Sequence, residues 1–265
     1  MQITPSGAAL VTGAGKRVGR EIALFLGRCG FDVAVHYAAS EEEAEGVVAE
    51  LRAMGRRAVS VRADLLDEAQ VREIIPQAVN GLDRPLSVLV NNASIFEHET
   101  YQTASRDSWD RHIESNLRAP MVLLQDFATQ VPEPVADDHG EPLAQGLVIN
   151  MIDQRVRKMT PDFPSYTIAK AGLWTLTQTA AQFYAPRLRV NGIGPGPTLR
   201  SIHQSEEQFC NQRAHTVLQR GSNVSDIVGA VGYFLQAPAV TGQLLCVDGG
   251  QHLAWKTPDV LGVDV

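Results

Sequence analysis

No window of the sequence approaches the roughly 18 consecutive apolar residues of a membrane-spanning helix. The opening stretch MQITPSGAALVTGAGKRVGRE has no basic region ahead of a long apolar run. A membrane partner is therefore not expected, and a cytoplasmic location is. Cysteine is scarce: Cys29, Cys210 and Cys246 stand apart with no C-x-x-C pair, which excludes a disulfide framework and a cysteine zinc site. The histidines at 36, 98, 112, 139, 203, 215 and 252 show no H-E-x-x-H or paired-ligand spacing, so no metal is expected. Positive charge is also short, with 23 Lys and Arg against 30 Asp and Glu and a formal net charge of -7. Such a chain has no global attraction for a phosphate backbone or anionic lipid, so no nucleic-acid partner is expected. Repeats and low-complexity tracts are absent as well.

What is present is a globular composition, 44% hydrophobic and 20% charged, over 265 residues that can bury a sizeable core. Short apolar runs rich in β-branched residues predict strands at Ala8 to Thr12, Val33 to Tyr37, Val59 to Val61, Leu86 to Val90, Leu147 to Met151, Leu188 to Ile193 and Leu244 to Val247. Apolar residues at three- and four-residue steps predict helices over Val18 to Arg28, Glu41 to Met54, Glu68 to Val79, Ser108 to Thr129, Ser165 to Tyr184 and Val224 to Leu235. Alternation of this kind implies an α/β fold, a seven-stranded parallel sheet covered on both faces, in one doubly wound Rossmann-type domain over 1–265. Residues 131–145, VPEPVADDHGEPLAQ, read as a surface insertion, with a partner-binding loop as the alternative. A variable substrate loop is expected at about 198–222, where no strong periodicity appears, and the tail 251–265 could fold over a neighbouring subunit's site.

The first strand runs through Thr12-Gly13-Ala14-Gly15-Lys16-Arg17-Val18-Gly19 straight into a helix. Glycines there let backbone N–H groups approach a pyrophosphate, and the helix N-terminus adds partial positive charge. A glycine-rich turn without a ligand fits the same spacing. After the second strand, His36-Tyr37-Ala38-Ala39-Ser40 lacks the acid that would take an adenosine ribose. Lys16 and Arg17 could neutralise a 2′-phosphate and Ser40 could donate to it, so NADPH is expected over NADH. Ser40-Glu41-Glu42-Glu43 also reads as a capping box that needs no ligand, and its glutamates oppose a phosphate nearby. Asp64 could accept from the adenine amino group or cap the helix near Asp67, and Leu65 beside it joins the expected cofactor contacts, as does Val18. Asn91-Asn92-Ala93 ends the fourth strand at the carboxyl edge of the sheet, where ligands of open α/β folds sit.

Tyr166 and Lys170 stand four residues apart on a predicted helix and share one face. An ammonium near a phenol favours the phenolate, so Tyr166 is expected to have a lowered pKa and to move protons near neutral pH. A solvated helical face fits the pair alone equally well.

Taken together, Thr12-Gly13, Asn92-Ala93, Asn116, Tyr166, Lys170, Pro195-Gly196 and Val247-Asp248-Gly249-Gly250 resemble the short-chain dehydrogenase/reductase family over nearly the whole chain. The resemblance implies that Lys170 also holds the nicotinamide ribose, that Asn116 supports a proton relay, and that Pro195-Gly196 contacts the nicotinamide carboxamide. It also implies a homotetramer. One departure stands out: where the family has a serine thirteen residues before the tyrosine, this chain has Asp153. A carboxylate accepts from N–H groups and suits a nitrogen heterocycle better than an alcohol; a strand-end acid capping or pairing with Arg155 or Arg157 is the competing reading.

That substitution is similar to the pteridine reductase branch, as are the T-G-x-x-x-R-x-G turn, the aromatic Phe96 in Asn92-Ala93-Ser94-Ile95-Phe96, and Gly194-Pro195-Gly196-Pro197-Thr198. By this resemblance Arg17 would reach cofactor phosphate and pterin, Phe96 would stack on substrate, and Thr198 would touch a phosphate. The branch arginine near the 2′-phosphate is replaced by Ala39. Three functions follow: an NADPH-dependent pterin reductase, a short-chain carbonyl or alcohol oxidoreductase, and a dinucleotide sensor without turnover. Retained Tyr166, Lys170 and Asn116 argue against the sensor, which needs no acid-base pair.

Overall fold

The computed structural model describes residues 7–200 and 204–255, so most of the expected tail, from 256 on, lies outside the described residues, as do 1–6 and 201–203. In chain order the elements are β1 (Ala8–Val11), α1 (Arg17–Arg28), β2 (Asp32–Tyr37), α2 (Glu41–Ala53), β3 (Ala58–Arg62), α3 (Glu68–Leu82) and β4 (Leu86–Asn91). There follow α4 (Arg106–Ile113), a π-helical turn (Glu114–Arg118), α5 (Ala119–Gln130), β5 (Val135–Ala136), β6 (Pro142–Leu143) and β7 (Gly146–Met151). The remainder is α6 (Pro164–Tyr184), β8 (Leu188–Pro195), α7 (Glu206–Ala214), α8 (Val224–Gln236) and β9 (Leu244–Val247).

Seven strands form one parallel sheet in the order β3-β2-β1-β4-β7-β8-β9. Its inner strands are apolar on both faces because helices cover both; all four residues of β1 are buried. Alternation then divides them: Ala9 and Val11 join the core under α1, α2 and α8, while Ala8 and Leu10 join the core under α3, α5 and α6. Strand order reverses between β1 and β4, and their carboxyl ends open the crevice that positions the site.

Three differences from the sequence reading have physical causes. The helix expected over 108–129 starts earlier, because Ser105 and Ser108 form a reciprocal capping box, and the π-helical turn interrupts it. Within 131–145, β5 and β6 pair as an exposed antiparallel hairpin too short to leave a periodic signal. The expected loop at 198–222 contains α7, which buries no residue and so has no apolar stripe to betray it.

Candidate active site

The turn after β1 is tied down by uncharged groups. Gly13 takes a left-handed conformation (φ 61°), and its N–H donates to His36 Nδ1 at 3.1 Å, while His36 Nε2 lies 3.1 Å from the Ala63 carbonyl. Burial pushes the His36 imidazole down to about 4, so it is neutral and donates from Nε2. Thr12 Oγ1 accepts from the N–H groups of Asn92 (2.9 Å) and Ala93 (3.0 Å), and the Asn92 amide donates to the carbonyls of Thr12 and Gly13. Gly19 is required: a Cβ there would stand 2.2 Å from the Gly13 oxygen. The sequence reading missed His36, whose partners lie 23 and 27 residues away.

The remaining expected cofactor residues divide. Lys16 pairs with Glu43, whereas the Arg17 guanidinium crosses to the Arg200 carbonyl at 3.3 Å, so the two cations do not act as one patch. Lys16 lowers the Glu43 carboxyl in return. Ser40 makes no side-chain cap bond, which corrects the capping-box reading and leaves its hydroxyl beside Gly15. Asp64 Oδ1 accepts from the Leu66 N–H, and the cap of α3 is Asp67, accepting from Ala69. Leu65 is buried in the core. Thr198 is engaged by Ser222 and by the Gly196 carbonyl. Arg17, Val18, Asn92, Pro195, Gly196 and Thr198 line one cavity of about 270 Å³ together with Tyr166 and Lys170. A left-handed glycine turn at a helix N-terminus, an uncapped hydroxyl and this continuous cavity fit a nicotinamide dinucleotide.

At the other end of the crevice, Asp153 stands two residues past β7, capping a short 3-10 turn, and divides its carboxylate between two donors. Oδ1 accepts from the Arg155 N–H and Oδ2 from the Tyr166 hydroxyl, each at 2.8 Å. The cap expected as a competing reading is thus formed, but with the Arg155 backbone; the Arg155 side chain goes to Thr160 and the Asp162 carbonyl. Burial and then Asp153 raise the Tyr166 phenol well above its ordinary value, with Arg155 and Ser94 opposing. This corrects the expected lowering. Lys170 donates to the Met151 carbonyl at 2.8 Å, and burial brings its ammonium down to about 8. Asn116, fully buried in the π-helical turn, spends both arms of its amide on the Ile95 backbone (2.9 and 2.8 Å) and so holds the loop from Asn92 to Phe96. A relay through its side chain is not what this geometry supplies.

Phe96 is 37% exposed and lines the cavities rather than the core. Its ring stacks on Phe163 (4.4 Å, 17°) and meets Tyr166 edge-on at 4.7 Å. Phe163, in a left-handed conformation ahead of α6, was not foreseen. Nor was the buried cluster behind it. Glu99 accepts from the N–H (2.7 Å) and hydroxyl of Ser165 and from Ser108, while His112 Nδ1 lies 2.7 Å from the Ser165 hydroxyl. Burial works against the Glu99 carboxylate, but these bonds hold its pKa below the usual value. His112 is fully buried.

Comparison with known proteins gives concordant relatives. A family model described as short chain dehydrogenase matches residues 7–211. The chain is 32% identical to the 3-oxoacyl-acyl-carrier-protein reductase FabG of Staphylococcus aureus, over 96% of this chain and 100% of that one. Among solved structures it is similar to FolM alternative dihydrofolate reductase 1 from Brucella suis in complex with NADP, with TM-score 0.89 and 40% identity over 98% of this chain and 100% of that one. The corresponding Brucella canis protein, complexed with NADP, gives TM-score 0.87 and 39% identity over 98% and 99%.

Proposed function

We propose, from the premise that this chain belongs to the short-chain dehydrogenase/reductase family, that it is an NADP-dependent oxidoreductase whose substrate is a pterin. The observation that carries the pterin is the Tyr166 hydroxyl donating to Asp153 at 2.8 Å, a carboxylate where the family resemblance leads one to expect serine. Bound NADPH supplies a hydride. Reduction of a ring C=N bond places that hydride on carbon and needs a proton on nitrogen. Tyr166 holds such a proton at Oη, and its raised pKa keeps it there until the substrate nitrogen takes it. Asp153 keeps the phenol oriented and can accept a hydrogen bond from a pterin N–H edge, and the phenolate left after the transfer regains its proton from solvent. Lys170, anchored on the Met151 carbonyl, stabilises that phenolate once it forms. Phe96 offers its exposed ring to a planar heterocycle. Assembly as a cytoplasmic homotetramer belongs to the same proposal; exposed Phe183 on α6 and Met121 on α5 support a subunit contact.

A second reading, favoured by the similarity to FabG, is reduction of a ketone. Ionised Asp153 opposes it, because a carboxylate repels the oxyanion that develops on a carbonyl oxygen, whereas a serine hydroxyl would donate to it. NADPH oxidation measured with dihydropterin and with ketones, for the parent and Asp153→Ser, separates the two. The pterin reading expects the serine variant to lose about 10- to 1,000-fold in pterin turnover while ketone turnover holds or rises. A serine variant that reduces dihydropterin as fast as the parent replaces this reading with the ketone one.

A further inference from the structure

One buried cluster takes no part in the chemistry proposed above. Glu99, His112 and Ser165 are 2%, 0% and 0% exposed, and none of them lines a cavity at Phe96. A carboxylate is rarely this buried unless something in the fold depends on it.

That dependence lies at the start of α6. The helix begins at Pro164, and the residue before it, where a serine, threonine, aspartate or asparagine would accept from the first turn, is Phe163, which makes no side-chain cap bond. Glu99 supplies the missing acceptor from 66 residues away, its carboxylate taking the Ser165 N–H at 2.7 Å. Its own carbonyl takes the Phe163 N–H at 3.0 Å, so one residue grips the chain on both sides of the left-handed Phe163. The other carboxylate oxygen accepts from Ser108 in the first turn of α4 at 2.6 Å. One negative charge thus serves two helix N-termini, where the peptide dipoles favour it.

The direction of each bond behind this clamp is determined. The Glu97 N–H donates to His112 Nε2 at 3.2 Å, so that nitrogen carries no hydrogen and Nδ1 does. His112 Nδ1 therefore donates to Ser165 Oγ at 2.7 Å, which leaves the Ser165 hydroxyl hydrogen for Glu99. A charged imidazole would set a second hydrogen against the Glu97 N–H, and burial opposes it too, lowering the His112 pKa. Glu97 and Glu99 belong to the segment that carries Phe96, Ser165 directly precedes Tyr166, and Phe163 stacks on Phe96. We propose that Glu99 is a positioning residue: acting through Ser165, with His112 behind it, it caps α6 from the Phe96 segment and so sets where the Tyr166 hydroxyl stands against the Phe96 face. The inference rests on Tyr166 as proton donor, which the pterin and ketone readings share.

The test measures kcat per NADPH-binding site, with whichever of dihydropterin or a ketone the parent reduces. Glu99→Ala is expected to lower kcat by about 10- to 100-fold, because a displaced donor misses the near-attack geometry, while the NADPH Kd stays within about threefold of the parent's. Glu99→Gln, which keeps an acceptor oxygen for the Ser165 N–H, should restore kcat to within about threefold. A role in stability alone would lower the number of binding sites and leave kcat per site unchanged. Should Glu99→Ala not fold, Ser165→Ala keeps the backbone cap and removes the hydroxyl bonds, with an expected fall in kcat of about threefold or more. A readout independent of turnover is the ¹⁵N spectrum of the histidine-labelled parent at neutral pH, with His112→Asn identifying the signal. It should show a neutral imidazole with its hydrogen on Nδ1; a hydrogen on Nε2 overturns the bond sequence and the proposal. Kcat within about threefold of the parent in Glu99→Ala and Ser165→Ala, or a glutamine variant as slow as the alanine one, overturns the positioning role alone. A Tyr166→Phe variant as fast as the parent overturns the proton-donor assignment, and this inference with it.

Discussion

The two ends of the crevice are built on opposite principles. At the dinucleotide turn, Thr12, Asn92 and His36 find fixed partners within the protein, chiefly backbone groups, and all three are uncharged. At the substrate end, Arg155 Nε and Gln154 Oε1 are buried without partners, and Asp153 and Tyr166 are bonded to each other. Each unsatisfied group costs about 1–3 kcal/mol, so the protein keeps the dinucleotide turn finished, Asn91 Oδ1 at the end of β4 excepted, and leaves the other end incomplete until a ligand supplies the missing bonds.

That contrast is most sharply tested at Tyr166. Tyr166→Phe should lower turnover by about 10²- to 10⁴-fold while NADPH affinity, measured by fluorescence titration, stays within about threefold of the parent. A parallel loss of cofactor affinity would show that the two ends are not separable. The next effect belongs to the finished end. His36 has a pKa of about 4 in the folded chain against an ordinary value of 6.5, so the unfolded chain takes up a proton as pH falls through that window and the folded one does not. Stability therefore falls on acidification from 6.5 to 4, by roughly 3 kcal/mol, and is regained as pH rises. In His36→Gln this dependence should be absent; urea unfolding at several pH values across the window reads it directly, and matching slopes would mean the imidazole is not buried neutral. The smallest effect is expected at Gly19. Because an added Cβ would press on the Gly13 oxygen at 2.2 Å, Gly19→Ala should destabilise by about 1–3 kcal/mol and weaken NADPH. Its pterin turnover at saturating NADPH should stay within about threefold of the parent's, since Asp153 and Tyr166 are untouched; a larger loss would contradict the division.

Much of this was legible in the sequence wherever one short stretch carries a complete physical instruction. The β1 run is apolar throughout because both its faces are covered, and Thr12 to Gly19 needs no distant residue to be read as a turn into a helix. Tyr166 and Lys170 share a helix face by spacing alone. What escaped were effects made by distant partners. Glu99 meets Ser165 across 66 residues, and His36 meets Gly13 and Ala63 only once three strands align. The direction of the Tyr166 shift was misjudged for the same reason: Lys170 is near in sequence, but burial and the contact with Asp153 decide the sign. Ser40 shows the converse, a capping motif complete in sequence whose hydroxyl makes no cap bond in the fold.

The π-helical turn at Glu114–Arg118 does more than present Asn116. A helix advances about 100° per residue, so one widened turn slips the phase of everything after it by a comparable angle. The rod formed by α4, the turn and α5 is therefore keyed to two neighbours at once: α4 lies against α6, and α5 lies against α3. A straight helix would have to choose one bearing and leave the other stripe misaligned. The slip lets one piece of chain couple the layer beneath the dinucleotide end to the helix that bears Tyr166.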